Sequence, residues 1–159
     1  MKGIHQLTPK EIRILIRKGK WDKPTAGLAM GYAQANLVIL PEKHAFDFLL
    51  FCQRNPKPCP LLEVLELGKF HTEFLSKDAD IRTDIPRYNI YRKGKLGATV
   101  KEIKGLWKND FVTFLLGCSF SFEEALLRLN IPVRHIQEKK NVPMYITSIR
   151  CKSAGVFQG

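Results

Sequence analysis

Prolines at 41, 56, 58 and 60 bracket one stretch of this chain and decide what it can become. Pro41 suits the start of a helix, where a proline gives up an N–H that has no intrahelical partner anyway. Ala45, Phe48, Leu49 and Cys52 then recur at i, i+3, i+4 and i+7, one face of a helix running to about Arg54. The three later prolines forbid its continuation and impose an extended or turning path. On one side of this helix Ala35 to Leu40 is a short apolar run containing Val and Ile, read as a buried strand. On the other, Leu61 to Leu67 alternates apolar residues with Glu63 and Glu66, read as a second strand. Strand, helix, strand is the unit of an α/β fold.

The remaining elements fit that class. Thr8-Pro9-Lys10-Glu11 is a capping box with a proline at the first helical position, and Ile12, Leu15 and Ile16 make its apolar stripe, so residues 9 to 18 are expected to be a helix ended by Gly19. Residues 21 to 30 and 69 to 84 read as loops, Tyr88 to Tyr91 as a strand and Lys93-Gly94-Lys95 as a turn. Thr99 to Glu102 and Ser121 to Glu124 are two further capping boxes, predicting a short helix near Ile103 and a helix over 121 to 130. Phe111 to Leu116 is apolar throughout, and periodicity cannot separate strand from buried helix there. Met144 to Cys151 reads as a strand. The expectation is a mixed sheet with flanking helices, a main α/β domain over 1–112 and the start of a second, smaller and incomplete α/β part over 113–159.

Charge is the one unusual bulk property of the 159 residues. Twenty-six Lys and Arg against fifteen Asp and Glu give a net charge of +11. That suits an anionic substrate or a nucleic acid. The positives are dispersed, however, and no zinc-finger, helix-turn-helix or RNP signature accompanies them. A basic nucleic-acid-binding module without catalysis is therefore the alternative and not the favoured reading. No apolar run is long enough to span a bilayer. The N-terminus lacks a secretory pattern, and the four cysteines, at 52, 59, 118 and 151, are sparse and without C-x-x-C spacing. Together these predict a cytoplasmic protein with reduced thiols, no membrane association, no structural metal and no cofactor motif.

Five strings spend polar and conformationally special residues beyond the needs of a core: PTAGLAMGYAQANLVIL, FLLFCQRNPKPCPLLEV, ADIRTDIPRYNIYRKG, FLLGCSFSFEEALL and NVPMYITSIRC. They resemble the YcsI-type hydro-lyase family, whose eukaryotic relatives include mitochondrial D-glutamate cyclase. The resemblance runs over nearly the whole chain from Ile12, and the family continues past the segment matching SAGVFQG. It implies the N-terminal part of a two-part α/β lyase fold, and a reaction in which D-glutamate closes to 5-oxo-D-proline with loss of water. It also implies that the isolated chain is less active than the family's longer members and tends to self-associate, with a homo-oligomer as one outcome.

Such a reaction needs a cation for a small anionic substrate, a carboxyl group to move protons and oriented N–H donors. Asp80, Arg82 and Asp84 would share one side of an extended segment, with Arg82 clamping a substrate carboxylate and an aspartate acting as acid or base. The other reading of these three is a salt-bridged loop that fixes its own shape. Gly117 to Glu123 leads into a helix start that suits an anion, with Ser119 and Ser121 as substrate-binding residues and Glu123 as a third candidate acid or base. The other reading is a plain N-cap at Ser119 or Ser121 with Glu123 or Glu124 completing the capping box, and it does not exclude the anion site. Arg54 and Asn55 follow the proline-bracketed helix, and Gln34 and Asn36 enter the first strand. All four are candidate substrate-binding residues, with helix capping or backbone satisfaction as their alternatives. The 80–84 segment and the 117–123 turn are expected to meet around one substrate. Cys118 reads as a small buried residue, and His135 as isolated.

Overall fold

The computed structural model describes residues 3–77, 79–140 and 144–159, and the side chains of Phe120 and Ser121 lie outside what it describes. The strand–helix–strand unit forms as β1 (Ala35–Pro41), α2 (Glu42–Arg54) and β2 (Leu61–Leu65), preceded by α1 (Pro9–Arg17). The capping box of α1 is made: Glu11 N–H donates to the Thr8 hydroxyl at 3.3 Å while Thr8 N–H donates to Glu11 Oε2 at 2.7 Å. Its buried face, Ile12 and Ile16, packs with Leu28, Ala29 and Trp21, so the loop at 21–30 folds onto α1 as a small core of its own.

The ambiguous run at 111–116 is a strand and the centre of the sheet. β5 (Phe111–Gly117) lies between β1 and β2 and is antiparallel to both. β1 and β2 therefore run parallel to each other with β5 inserted, a split βαβ unit. Every described strand pairing is antiparallel. Covered on both faces, β5 reads as a continuous apolar run because neither face needs to be polar. Phe114 points to α2, meeting Phe48 edge-on at 4.9 Å between ring centroids. Leu115 faces the opposite side with Leu65 and Ile81, backed by Leu37, Ile39 and Trp107. The expected boundary at 112/113 falls inside this strand.

β3 (Tyr88–Arg92) and β4 (Lys95–Val100) form a separate hairpin around Lys93 and Gly94, both at positive φ. The helix expected from Thr99 is absent. Thr99 sits in β4 and its hydroxyl donates to Asn89 Oδ1 across the hairpin at 2.9 Å. Cross-strand pairing with β3 satisfies several backbone groups there, whereas a cap satisfies one. Only a 3-10 turn follows, at Lys104–Leu106.

The chain continues as α3 (Phe120–Arg128) and a four-residue α4 (Arg134–Gln137). The helix start expected at Ser121 lies two residues earlier in the structure. Ser119 is the N-cap and Ser121 already lies inside the helix, while Glu124 pairs with Arg128. The strand expected at 144–151 is also absent: no described strand lies beside it to take its backbone bonds, and Met144, Tyr145, Ile146 and Ile149 are exposed. Residues 151–159 instead turn back on themselves. Cys151 N–H donates to Gly159 O at 2.7 Å, Ala154 and Phe157 exchange two bonds of 3.0 Å, and Phe157 stacks edge-on against Phe48 at 5.0 Å. Among the described residues no helix is long and apolar enough to cross a membrane.

Candidate functional site

The 80–84 segment is a turn and not an extended strand. Thr83 and Asp84 N–H groups both donate back to Asp80 O, at 3.1 and 3.0 Å. The turn folds Arg82 onto its own neighbour: Nε and Nη2 donate to the two Asp80 oxygens at 2.9 and 2.8 Å. The guanidinium lies 3.3 Å above the Phe70 ring centre. Burial pushes the Asp80 carboxyl up, but the Arg82 hydrogen bonds and charge outweigh it and hold the group below its ordinary value. Asp84 turns away toward α1. It is buried, takes both Nε and Nη2 of Arg17, and accepts from Asp80 N–H at 3.1 Å and from the Thr83 hydroxyl at 3.0 Å. Tyr88 pins the turn by donating to Ile81 O at 2.7 Å. So Asp80, Arg82 and Asp84 do not share one side, and each is engaged by a protein partner. The geometry is that of the self-fixing salt-bridged loop.

Arg54 and Asn55 hold the C-terminal segment. Arg54 Nη1 donates to Ser153 O at 2.5 Å. Asn55 is buried, and its amide donates to Phe51 O and Lys152 O at 2.8 Å each while its carbonyl accepts from Lys152 N–H at 2.8 Å. The first of these is the helix-capping role, and the other two clamp the tail. Gln34 donates to Leu28 O at 3.0 Å, stitching the loop before β1, and Asn36 is an exposed residue of β1 opposite Leu116.

A different constellation forms at α3. The Glu123 carboxylate is buried and lies 3.3 Å from Nε2 of His135, the two side chains being only 11% and 15% exposed. Its other oxygen accepts from the Ser119 hydroxyl at 3.4 Å. Among the described residues no lysine or arginine pairs with Glu123. Asn130 at positive φ and Pro132 break the chain between α3 and α4, and the Glu123–His135 contact joins residues twelve apart in sequence across that break. The Ser121 side chain lies outside the described residues. The loop before β1 reaches the same helix. Gly31, at φ +86°, lies so close that a Cβ there would stand 3.1 Å from Glu124 Oε2.

No described hydrogen bond or ion pair joins the 80–84 turn to Gly117–Glu123; Ile81 packs instead on Leu115 of β5, before that segment begins. Cys52, Cys59 and Cys151 pack in the core beside α2, where burial and then the neighbouring Cys59 push the Cys52 thiol up to about 11. Among the described residues no group of three His, Cys, Asp or Glu is arranged to hold a metal ion. Sequence reasoning missed His135, whose only signal was its place just beyond the Asn130-Ile131-Pro132 break. It also missed Arg13 and Arg17, whose i, i+4 spacing on α1 faces Asp84.

Residues 112–159, which contain Ser119, Glu123 and His135, match the profile of the D-glutamate cyclase family. Curated relatives match nearly the whole chain. A protein of Thermoanaerobacter sp. (strain X514) named "Putative hydro-lyase" is 60% identical over 153 residues, 96% of this chain and 58% of the relative. Proteins of the same name from Stutzerimonas stutzeri (strain A1501) and Bacillus licheniformis are 58% and 56% identical, covering 100% and 98% of this chain and 60% of each relative. The chain thus spans about three-fifths of the length of these relatives.

Proposed function

The chain belongs to the D-glutamate cyclase family, and on that premise we propose that it supplies part of a hydro-lyase acting on a small amino-dicarboxylate, closing D-glutamate to 5-oxo-D-proline and water. The observation that carries this reading is the buried Glu123–His135 contact. In the reaction the nitrogen of the α-ammonium bonds to the γ-carboxylate carbon and gives up two protons, and one γ-oxygen takes up two protons and leaves as water. A carboxylate beside an imidazole can accept each proton from the nitrogen and pass it to the departing oxygen, so the pair ends as it began. Such acid–base help is worth roughly 10²- to 10⁴-fold. Ser119, on the second Glu123 oxygen, fixes the direction in which the carboxylate presents its lone pairs. Asp80 and Asp84 are less suited to the task because Arg82 and Arg17 occupy their oxygens.

The test joins residues 1–159 to the remaining part of the Thermoanaerobacter relative and follows 5-oxoproline formation from D-glutamate. Glu123→Gln should lower kcat by about 10²-fold or more while preserving the fold. Undiminished turnover in that variant, or no turnover of D-glutamate or any related amino-dicarboxylate by the parent, would overturn the reading.

A further inference from the structure

Two of the four cysteines are held together through one residue of the backbone. Asn55 N–H donates to Cys52 O at 3.1 Å, and Asn55 O accepts from Cys59 N–H at 3.0 Å. Pro56 and Pro58, each with a fixed φ, stiffen the six residues between the cysteines. The side chains meet as well, the Cys52 thiol donating to the Cys59 sulfur. Cys52 is 1% exposed and lies in the core with Phe48, Phe51 and Phe114, whereas Cys59 packs at the margin of that core and is partly open to solvent. Both are free thiols.

The two sulfurs are unequal. Burial and then the neighbouring Cys151 push the Cys59 thiol up, but the hydrogen bond from Cys52 works the other way and favours the Cys59 thiolate. That makes the accessible Cys59 the attacking sulfur and the buried Cys52 the resolving one. We propose that Cys52 and Cys59 form a thiol–disulfide exchange site, oxidised to an intramolecular disulfide by a low-molecular-weight disulfide such as oxidised glutathione. The Cys59 thiolate attacks one sulfur of the oxidant, whose S–S bond breaks, and a glutathione thiolate leaves. Cys59 in that mixed disulfide is no longer a thiolate, which removes part of what keeps Cys52 protonated. Cys52 then loses its proton and attacks the Cys59 sulfur, expelling the second glutathione thiolate. Two protein thiols are oxidised, one small disulfide is reduced, and the two protons end on the two glutathiones. The new bond closes the end of α2 onto the approach to β2, at the Asn55 that clamps Lys152. The proposal is independent of the lyase reading, since it rests on the Cys52–Asn55–Cys59 geometry and not on Glu123.

Incubating the 159-residue chain with oxidised glutathione at about pH 8, then mapping its tryptic peptides without reduction, tests this. Cleavage after Arg54 separates the two cysteines, so only a disulfide keeps their peptides together. The Cys52 and Cys59 peptides should be recovered joined, and dithiothreitol should release them. Because the link closes a loop in the unfolded chain, the oxidised protein should melt roughly 5 °C higher than the reduced one. Cys52→Ala should stop at a glutathione adduct on Cys59, and Cys151→Ser should leave the link intact. The proposal would be overturned by the absence of a joined peptide, or by Cys59 joined instead to Cys151 or to a second chain. An unmodified Cys59 in Cys52→Ala, loss of the link in Cys151→Ser, or an oxidised form that melts lower would overturn it equally.

Discussion

Replacing Asn55 by alanine should release the C-terminal segment from α2. The amide makes three bonds of 2.8 Å, two of them to the backbone of Lys152. Phe51 O keeps a second donor, the Asn55 N–H at 3.1 Å, so its loss is small. The two Lys152 bonds each contribute about 1 kcal/mol, and the buried pocket left by the amide adds a comparable cost, giving about 2–3 kcal/mol in all. For a chain of this size that corresponds to a fall in Tm of roughly 4–12 °C. The effect should be concentrated at the tail, because Phe157 packs on Phe48 and Phe51 only while residues 151–159 stay folded back. Thermal unfolding and hydrogen exchange together check this: Tm should fall, and protection of Cys151, Ala154 and Phe157 amides should be lost before that of β5. Arg54→Ala removes one exposed bond to Ser153 O and should cost about 0.5 kcal/mol. An Asn55→Ala protein within 0.5 kcal/mol of the parent, or with tail protection intact, would refute the clamp.

Three other outcomes follow from the same contacts. Gly155→Ala should destabilise by about 1–3 kcal/mol in urea unfolding, because Gly155 is at φ +53° and a Cβ there would run into the Asp47 side chain. Since Arg82 holds the folded Asp80 carboxyl below its ordinary value, the native state binds fewer protons than the unfolded one. The stability this contributes is present above about pH 4 and is lost as pH falls through the folded-state value. The difference in urea stability between the parent and Arg82→Ala should therefore be larger near pH 6 than near pH 3, and a pH-independent difference would contradict it. Exposed Met144, Tyr145, Ile146 and Ile149, with β1 as an apolar outer strand, should make the 159-residue chain self-associate in light scattering. Joining it to a relative's remaining portion should make it monodisperse, and a monodisperse short chain at high concentration would contradict this.

What the sequence makes legible is local. Pro41 and the prolines at 56, 58 and 60 delimit α2 from within, and Thr8 with Glu11 starts α1, since each signal acts within one or two turns of chain. β5 is not legible as a strand because burial on both faces erases its period, and its place between β1 and β2 is a long-range fact. The Thr99 and Ser121 boxes mislead for a related reason: cross-strand pairing in β4 and the earlier start of α3 at Ser119 prevail over a short motif. At the candidate site Glu123 is visible as a carboxylate beside a helix start. Its partner His135 is not, because it lies beyond the break at Asn130 and Pro132 and meets Glu123 only in the folded chain. Asp80, Arg82 and Asp84 are conspicuous as charges, yet whether such a triplet faces a ligand or itself depends on turn geometry that residue types do not encode.

The central claim is that Glu123 and His135 act as one proton-moving unit, and a double-mutant cycle on kcat in the joined chain tests it most directly. Residues that work as a unit are non-additive when removed together. Glu123→Gln and His135→Gln should each cost about 10²-fold or more, and the double variant should be no slower than the slower single one. Losses that multiply, or a His135→Gln enzyme as fast as the parent, would contradict the account.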